Sequence, residues 1–102
     1  MNDIRAGTIL VAEPFPAARR SAYKLTIDFG AELGIKRSSA QITERYSPAQ
    51  LPGTQVLAVV DLGSKTIANF TSEVLVLGLP DQHGHVVLLR PEYPVPNGAK
   101  VY

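Results

Sequence analysis

The residues of this chain best suited to chemistry are basic and hydroxylic, and they come in short separate groups. Arg19-Arg20 and Lys36-Arg37 are paired, Lys24 and Lys65 stand alone, and Ser38, Ser39 and Asn69 lie close to them in sequence. Lysine and arginine neutralise phosphates, and Ser or Asn side chains hydrogen-bond phosphate oxygens and 2′-hydroxyls. A group of this kind that converged in space would bind a nucleic-acid backbone. Scattered singly over loops, the same residues would only keep a surface wet. Phe15 lies between two prolines and Phe70 between Asn69 and Thr71, in stretches that read as loops. An exposed ring there would stack on a base or line a groove for a partner's apolar side chain, and a buried one would plug the end of a barrel.

Other chemistries find little to work with. The chain has no cysteine, so disulfides, Cys-based zinc sites, iron–sulfur clusters and thiol catalysis are excluded. His83 and His85 flank Gly84 without a third ligand at metal spacing and read as turn residues, so no metal or other cofactor is expected. Asp28, Glu44, Asp61 and Glu73 fall in separate segments, and no nucleophile motif or P-loop is present, which points away from an enzyme. Ten Lys plus Arg against nine Asp plus Glu leave a charge of +1, far from the balance of a dedicated polyanion binder. The start "MNDIRAG" lacks the regions of a secretory signal, and no apolar run approaches the roughly 18 residues of a membrane span. A cytoplasmic protein without membrane insertion is expected, and the Asn69-Phe70-Thr71 sequon is then a chance match.

The elements that must position these residues are mostly strands. "YKLTIDF" alternates apolar Tyr23, Leu25, Ile27 and Phe29 with polar Lys24, Thr26 and Asp28, the pattern of a half-buried strand. "IRAGTILVAE" predicts a longer first strand, with Gly7 where a bulge or sharp coil would let it bend around a small barrel. The prolines around Phe15 make "EPFPAARRSA" a loop, "GAELG" reads as a turn, and "IKRSSAQI" as a third strand. "SPAQLPG" predicts about one helical turn, with Ser47 as N-cap, Pro48 at the first position and Pro52-Gly53 as the stop. "QVLAVVDL", "EVLVLGL" and "HVVLLRP" are Val-rich apolar runs that read as strands buried on both sides, and "AKVY" as a last edge strand. Five to six strands with one short helix between the third and fourth predict an all-β, single-domain Greek-key barrel of the oligonucleotide/oligosaccharide-binding (OB) type across residues 1–102. A β-sandwich would need more strands.

In an OB barrel the outer face of strands 2 and 3 and the loops after strands 1 and 4 form the binding surface. Arg19 and Arg20 would lie in the first loop, Lys24 on strand 2, Lys36 and Arg37 at the start of strand 3, and Lys65 and Asn69 in the loop after strand 4. Ser72 and Glu73, where "SKTIANFT" gives way to the apolar "VLVL", would tie down loop amides.

"DIRAGTI", "YKLTIDFG", "IKRSSAQIT", "QVLAVVDL", "KTIANFTSEVLVLG" and "PVPNGAKV", in this order from Asp3 to Val101, closely resemble the CsaA-type export chaperones of the tRNA-binding OB-domain family. The resemblance implies a homodimer that binds tRNA or other nucleic acid in the wider family. In the CsaA type it implies a chaperone that holds unfolded preproteins or peptides and acts with the SecA translocation motor. The family's late Lys and Ser-x-x-Met run falls on Lys65, Ser72 and Leu75, with Leu in place of Met, and "DLGSK" stands where relatives carry a Pro-rich stretch. With Met1 and Asn2 alone before Asp3, an N-terminal helix is expected to be absent or much reduced, so dimerisation would rest more on barrel edges and "PVPNGAKVY". Two readings follow. One is a peptide-binding groove of Phe15, Ile67 and Phe70 rimmed by Arg19, Arg20, Lys36 and Arg37. The alternative is a tRNA-binding module in which the basic residues, with Ser38, Ser39, Asn69 and Ser72, contact the RNA backbone.

Overall fold

In the computed structural model, which describes residues 2–102, strand β1 (Ile4–Pro14) is the spine of the molecule. Its first half pairs antiparallel with β4 (Gln55–Val59) and its second half with β2 (Tyr23–Asp28). β2 continues to β3 (Ile35–Ala40), and β4 to β7 (Leu75–Val76), giving the order β3-β2-β1-β4-β7. Alternation along β2 drives Leu25 and Ile27 inward, followed by Phe29, onto Ile9, Leu51, Val56, Val74 and Leu88. A 3₁₀ turn (Pro48–Gln50) lies between β3 and β4 where the short helix is expected, with Ser47 N donating to the Gln50 carboxamide oxygen at 2.8 Å. This is the five-stranded, nearly closed barrel of the OB type.

Side chains complete the closure that the strand ladder leaves unfinished. β3 faces the segment running from β6 (Phe70–Ser72) into β7. There Glu73 N donates to Arg37 O at 2.8 Å, Arg37 N to Glu73 Oε1 at 3.0 Å, and Ser39 N to Ser72 Oγ at 3.0 Å. Ser72 and Glu73 therefore satisfy amides, but those of strand β3 rather than of a loop. Ser38, wholly buried, adds a hydroxyl bond to Val74 O at 3.0 Å.

Several local expectations are corrected. The bulge in β1 lies between Ile9 and Val11, not at Gly7. Gly7 instead lets the strand pass under the core, since a Cβ there would come within 2.7 Å of Ile27 and Phe29. "GAELG" forms one helical turn, α1 (Gly30–Leu33). "KTIANFTS" is a hairpin, β5 (Lys65–Ile67) and β6, rather than a loop. Ala68 and Asn69 at its tip have φ of 46° and 66°, the left-handed pair that a tight hairpin turn needs. "EVLVLGL" is not buried on both sides: Val74 is buried, but Leu75 and Leu79 are exposed, and the run splits between β7 and β8 (Gly78–Pro80), which pairs with β9 (Val86–Leu88).

The tail docks as expected on β1, although as a single bridge between Arg5 and Lys100. Ala6 N donates to Ala99 O and Val101 N to Ile4 O, both at 2.9 Å. Gln55 and Thr8 fasten Val95 and Asn97 from the barrel side.

Candidate functional site

Because successive residues of a strand face opposite sides, the outer face of the β2–β3 pair is set by register. Lys24 stands opposite Ser39 and Thr26 opposite Arg37, all four on the side away from buried Leu25, Ile27 and Ser38. Lys36 belongs to the other face. The Lys36-Arg37 pair is thus split by the pleat, and the two charges do not act on one ligand side by side.

Beside this face lies a second, small apolar cluster of Phe15, Ala22 and Phe70, packed by Ala18 and Ile67. It joins the loop after β1 to the β5–β6 hairpin. The rings of Phe15 and Phe70 meet edge to face, with centroids 5.3 Å apart and planes at 63°. They are 6% and 4% exposed, so of the two alternatives for these rings the buried one holds. Two cations lie over them: Arg37 Cζ is 4.3 Å from the Phe70 centroid, and Lys24 Nζ is 5.6 Å and 5.9 Å from the Phe15 and Phe70 centroids. The negative ring faces hold both charges where neither has a carboxylate partner, for the ion pairs among the described residues join Arg5 to Asp3 and Glu32, and Arg45 to Asp81.

The remaining sequence candidates are distributed around this centre. Arg19 and Arg20 are exposed in the loop that follows Phe15. Arg20 lines a polar cleft of about 440 Å³ with Gln41, Glu44 and His85, on a different flank from Arg37. Lys65 and Asn69 are exposed on the β5–β6 hairpin. Ser38 presents no surface to a ligand, and the Ser72 hydroxyl is engaged by Ser39 N.

A cleft of about 360 Å³ opens between β3 and the segment from β4 to β7, lined by Ser39, Gln41, Leu62, Lys65, Ile67 and Leu75. Through Ser39, Gln41 and Leu75 it continues into a second hollow of about 310 Å³ floored by Ile42, Val76 and Val86. Of the three apolar groove candidates, Ile67 lines this cleft while Phe15 and Phe70 lie in the cluster behind it. Leu62 and Leu75, 53% and 49% exposed, are the apolar walls that sequence reasoning missed. Leu62 is a single apolar residue in turn-forming "DLGSK". Leu75 sits in a run whose alternation is masked because its polar positions are also filled by aliphatic residues.

The carboxyls with displaced titration lie elsewhere. Arg45, 2.8 Å from Asp81, together with the His83 and His85 amides, holds the Asp81 carboxyl below its usual value against the opposing effect of desolvation. Arg5 does the same to Asp3. Among the described residues no group of three or more His, Cys, Asp or Glu is placed to hold a metal ion. No helix among them is long and apolar enough to cross a membrane.

Residues 4–100 match the model of the family described as a putative tRNA binding domain. A crystal structure of chaperone CsaA from Bacillus anthracis is similar at 53% identity and a TM-score of 0.92, over 99% of this chain and 91% of that one. CsaA chaperone protein from Picrophilus torridus is similar at 46% identity and a TM-score of 0.91, over 99% and 92%. Methionine–tRNA ligase of Flavobacterium johnsoniae is 31% identical over 99 residues, which is 97% of this chain and 14% of the ligase. The chain thus spans about one seventh of the length of the curated relatives it matches.

Proposed function

We propose a role for this chain from the family to which it belongs, the tRNA-binding domains of the CsaA chaperone type: it is a homodimeric chaperone that binds unfolded preproteins or peptides for export. The observation that carries this reading is the cleft walled by exposed Leu62 and Leu75 beside Ile67, on a chain 53% identical to a protein described as a chaperone. Unfolded segments are recognised by apolar surface that a folded protein does not offer. Exposed Leu79, Val87, Tyr93 and Val101 provide apolar area for a second copy. The proposed setting is cytoplasmic, with the SecA translocation motor as a partner and no catalytic step.

The test is binding of a reduced, unfolded protein, followed by anisotropy at low and physiological salt, together with sizing at micromolar concentration. Affinity that holds across salt and falls in Leu62→Ser and Leu75→Ser supports the chaperone reading. A monomer that binds no unfolded chain overturns it, as does binding that both variants retain.

A second reading, a tRNA-binding module, is favoured by one specific observation. Lys24 and Arg37 are held side by side on the outer β2–β3 face, and among the described residues neither forms an ion pair with a carboxylate. Phosphate neutralisation makes such binding fall steeply with salt. Total tRNA that binds at low salt, with a log–log slope reduced in Lys24→Gln, supports it. Absence of tRNA binding even at low salt overturns it.

A further inference from the structure

Building on the nucleic-acid reading above, we infer that the Arg37 guanidinium, backed by Phe70, is the surface on which a base of single-stranded nucleic acid stacks. Sequence-tolerant binding of single strands ordinarily relies on aromatic rings whose flat faces are open to the bases. Here the two rings beside the β2–β3 face are closed to that use. Phe15 and Phe70 are nearly buried, engaged edge to face with each other, and roofed by Lys24 and Arg37.

The flat group left at the surface is the guanidinium itself. Arg37 is exposed, with Cζ 4.3 Å from the Phe70 centroid. Its side chain makes no hydrogen bond or ion pair among the described residues, and the nearby Glu73 Oε1 accepts from the Arg37 backbone amide. The guanidinium carbon therefore lies over the ring, and the side chain's N–H donors are unspent. Arginine stacks on π systems through its delocalised plane and donates in that plane at the same time, and unstacked bases pack on such planes. The neighbours suit a sugar–phosphate chain running past the stacked base. Lys24 supplies a second positive charge on the same pad, and the Thr26 and Ser39 hydroxyls make no hydrogen bond of their own among the described residues.

Arg37→Lys separates stacking from charge, since it keeps the charge and removes the plane. The probes are a short single-stranded RNA and the same strand with abasic positions, each titrated by anisotropy against the full chain, with circular dichroism melts to verify folding. Arg37→Lys is expected to weaken the base-bearing strand by about fivefold or more. Binding of the abasic strand should change little, and the salt slope should stay the same. Phe70→Leu, which removes the backing ring, should weaken the base-bearing strand in the same sense. Equal binding by wild type and Arg37→Lys overturns the inference alone, as does an equal loss on both strands, which would make Arg37 a phosphate contact. Failure of wild type to bind either strand at low salt overturns the nucleic-acid reading and this inference with it.

Discussion

Replacing Phe70 by Leu tests whether the small aromatic cluster is what fixes the loop after β1 against the β5–β6 hairpin. Leucine keeps an apolar side chain at a position only 4% exposed, so the loss comes mainly from interactions that need a ring. The edge-to-face contact with Phe15 at 5.3 Å contributes about 0.5–1.5 kcal/mol beyond area burial. The Arg37 and Lys24 contacts, at 4.3 Å and 5.9 Å, each add up to about 0.5–1 kcal/mol, since the two cations are themselves in reach of solvent. The expected destabilisation is therefore about 1–3 kcal/mol, or a fall in melting temperature of roughly 5–20 °C for a domain of this size. Thermal and urea melts report the global change, and hydrogen exchange across residues 65–72 reports opening of the hairpin. Phe15→Leu removes the same ring pair from the other side, so the double variant should lose about 1 kcal/mol less than the sum of the singles. A Phe70→Leu midpoint within about 2 °C of wild type, with additive singles, would refute the cluster as a structural clasp.

Acid should weaken the fold through Asp3 and Asp81. Both are held below the usual carboxyl value near 3.8, so their stabilisation is present above that value and lost as pH falls through the folded value. Asp81→Asn should be less stable at neutral pH and show a shallower acid limb in melts taken on the way to pH 2, and an unchanged limb would contradict the assignment. Ala68→Gly relieves a φ of +46°, where a side chain costs roughly 1–2 kcal/mol. After the entropy cost of glycine it should stabilise the hairpin by about 0.5–1 kcal/mol in urea melts. Ser38→Ala removes the buried donor to Val74 O and should cost about 1 kcal/mol. Unchanged stability combined with lost RNA binding would place that hydroxyl on the ligand instead.

The barrel was legible because its strands carry their faces in the sequence. The alternation of "YKLTIDF" and the turn residues Ser47, Pro48 and Gly53 announce a half-buried strand and a one-turn plug. The hairpin at "KTIANFTS" was not legible, because its left-handed turn is built from Ala68 and Asn69 rather than from the glycine that usually signals it. The candidate site was legible in its residue types but not in their directions. Register alone separates Arg37 from Lys36, and long-range packing alone buries Phe15 and Phe70 on each other. Ser38 and Ser39 are likewise neighbours in sequence with opposite fates: one hydroxyl closes the barrel seam and the other faces out.

The same geometry makes the two ligand readings interdependent. The basic face and the cleft are not remote sites, for Ser39 stands opposite Lys24 on the face and also lines the cleft, and Lys65 lies on the rim of the cleft where the hairpin borders it. An RNA tracking across Lys24 and Arg37 would overhang the mouth of the cleft near Ser39 and Lys65. RNA and an unfolded chain should therefore displace each other. The displacement should fade as salt is raised, because the phosphate contacts weaken with salt while apolar burial in the cleft does not. Anisotropy of a labelled unfolded protein, titrated with tRNA at low and then physiological salt, measures this directly. A stable ternary complex at low salt, with both affinities unchanged, would show that the shared border does not couple them.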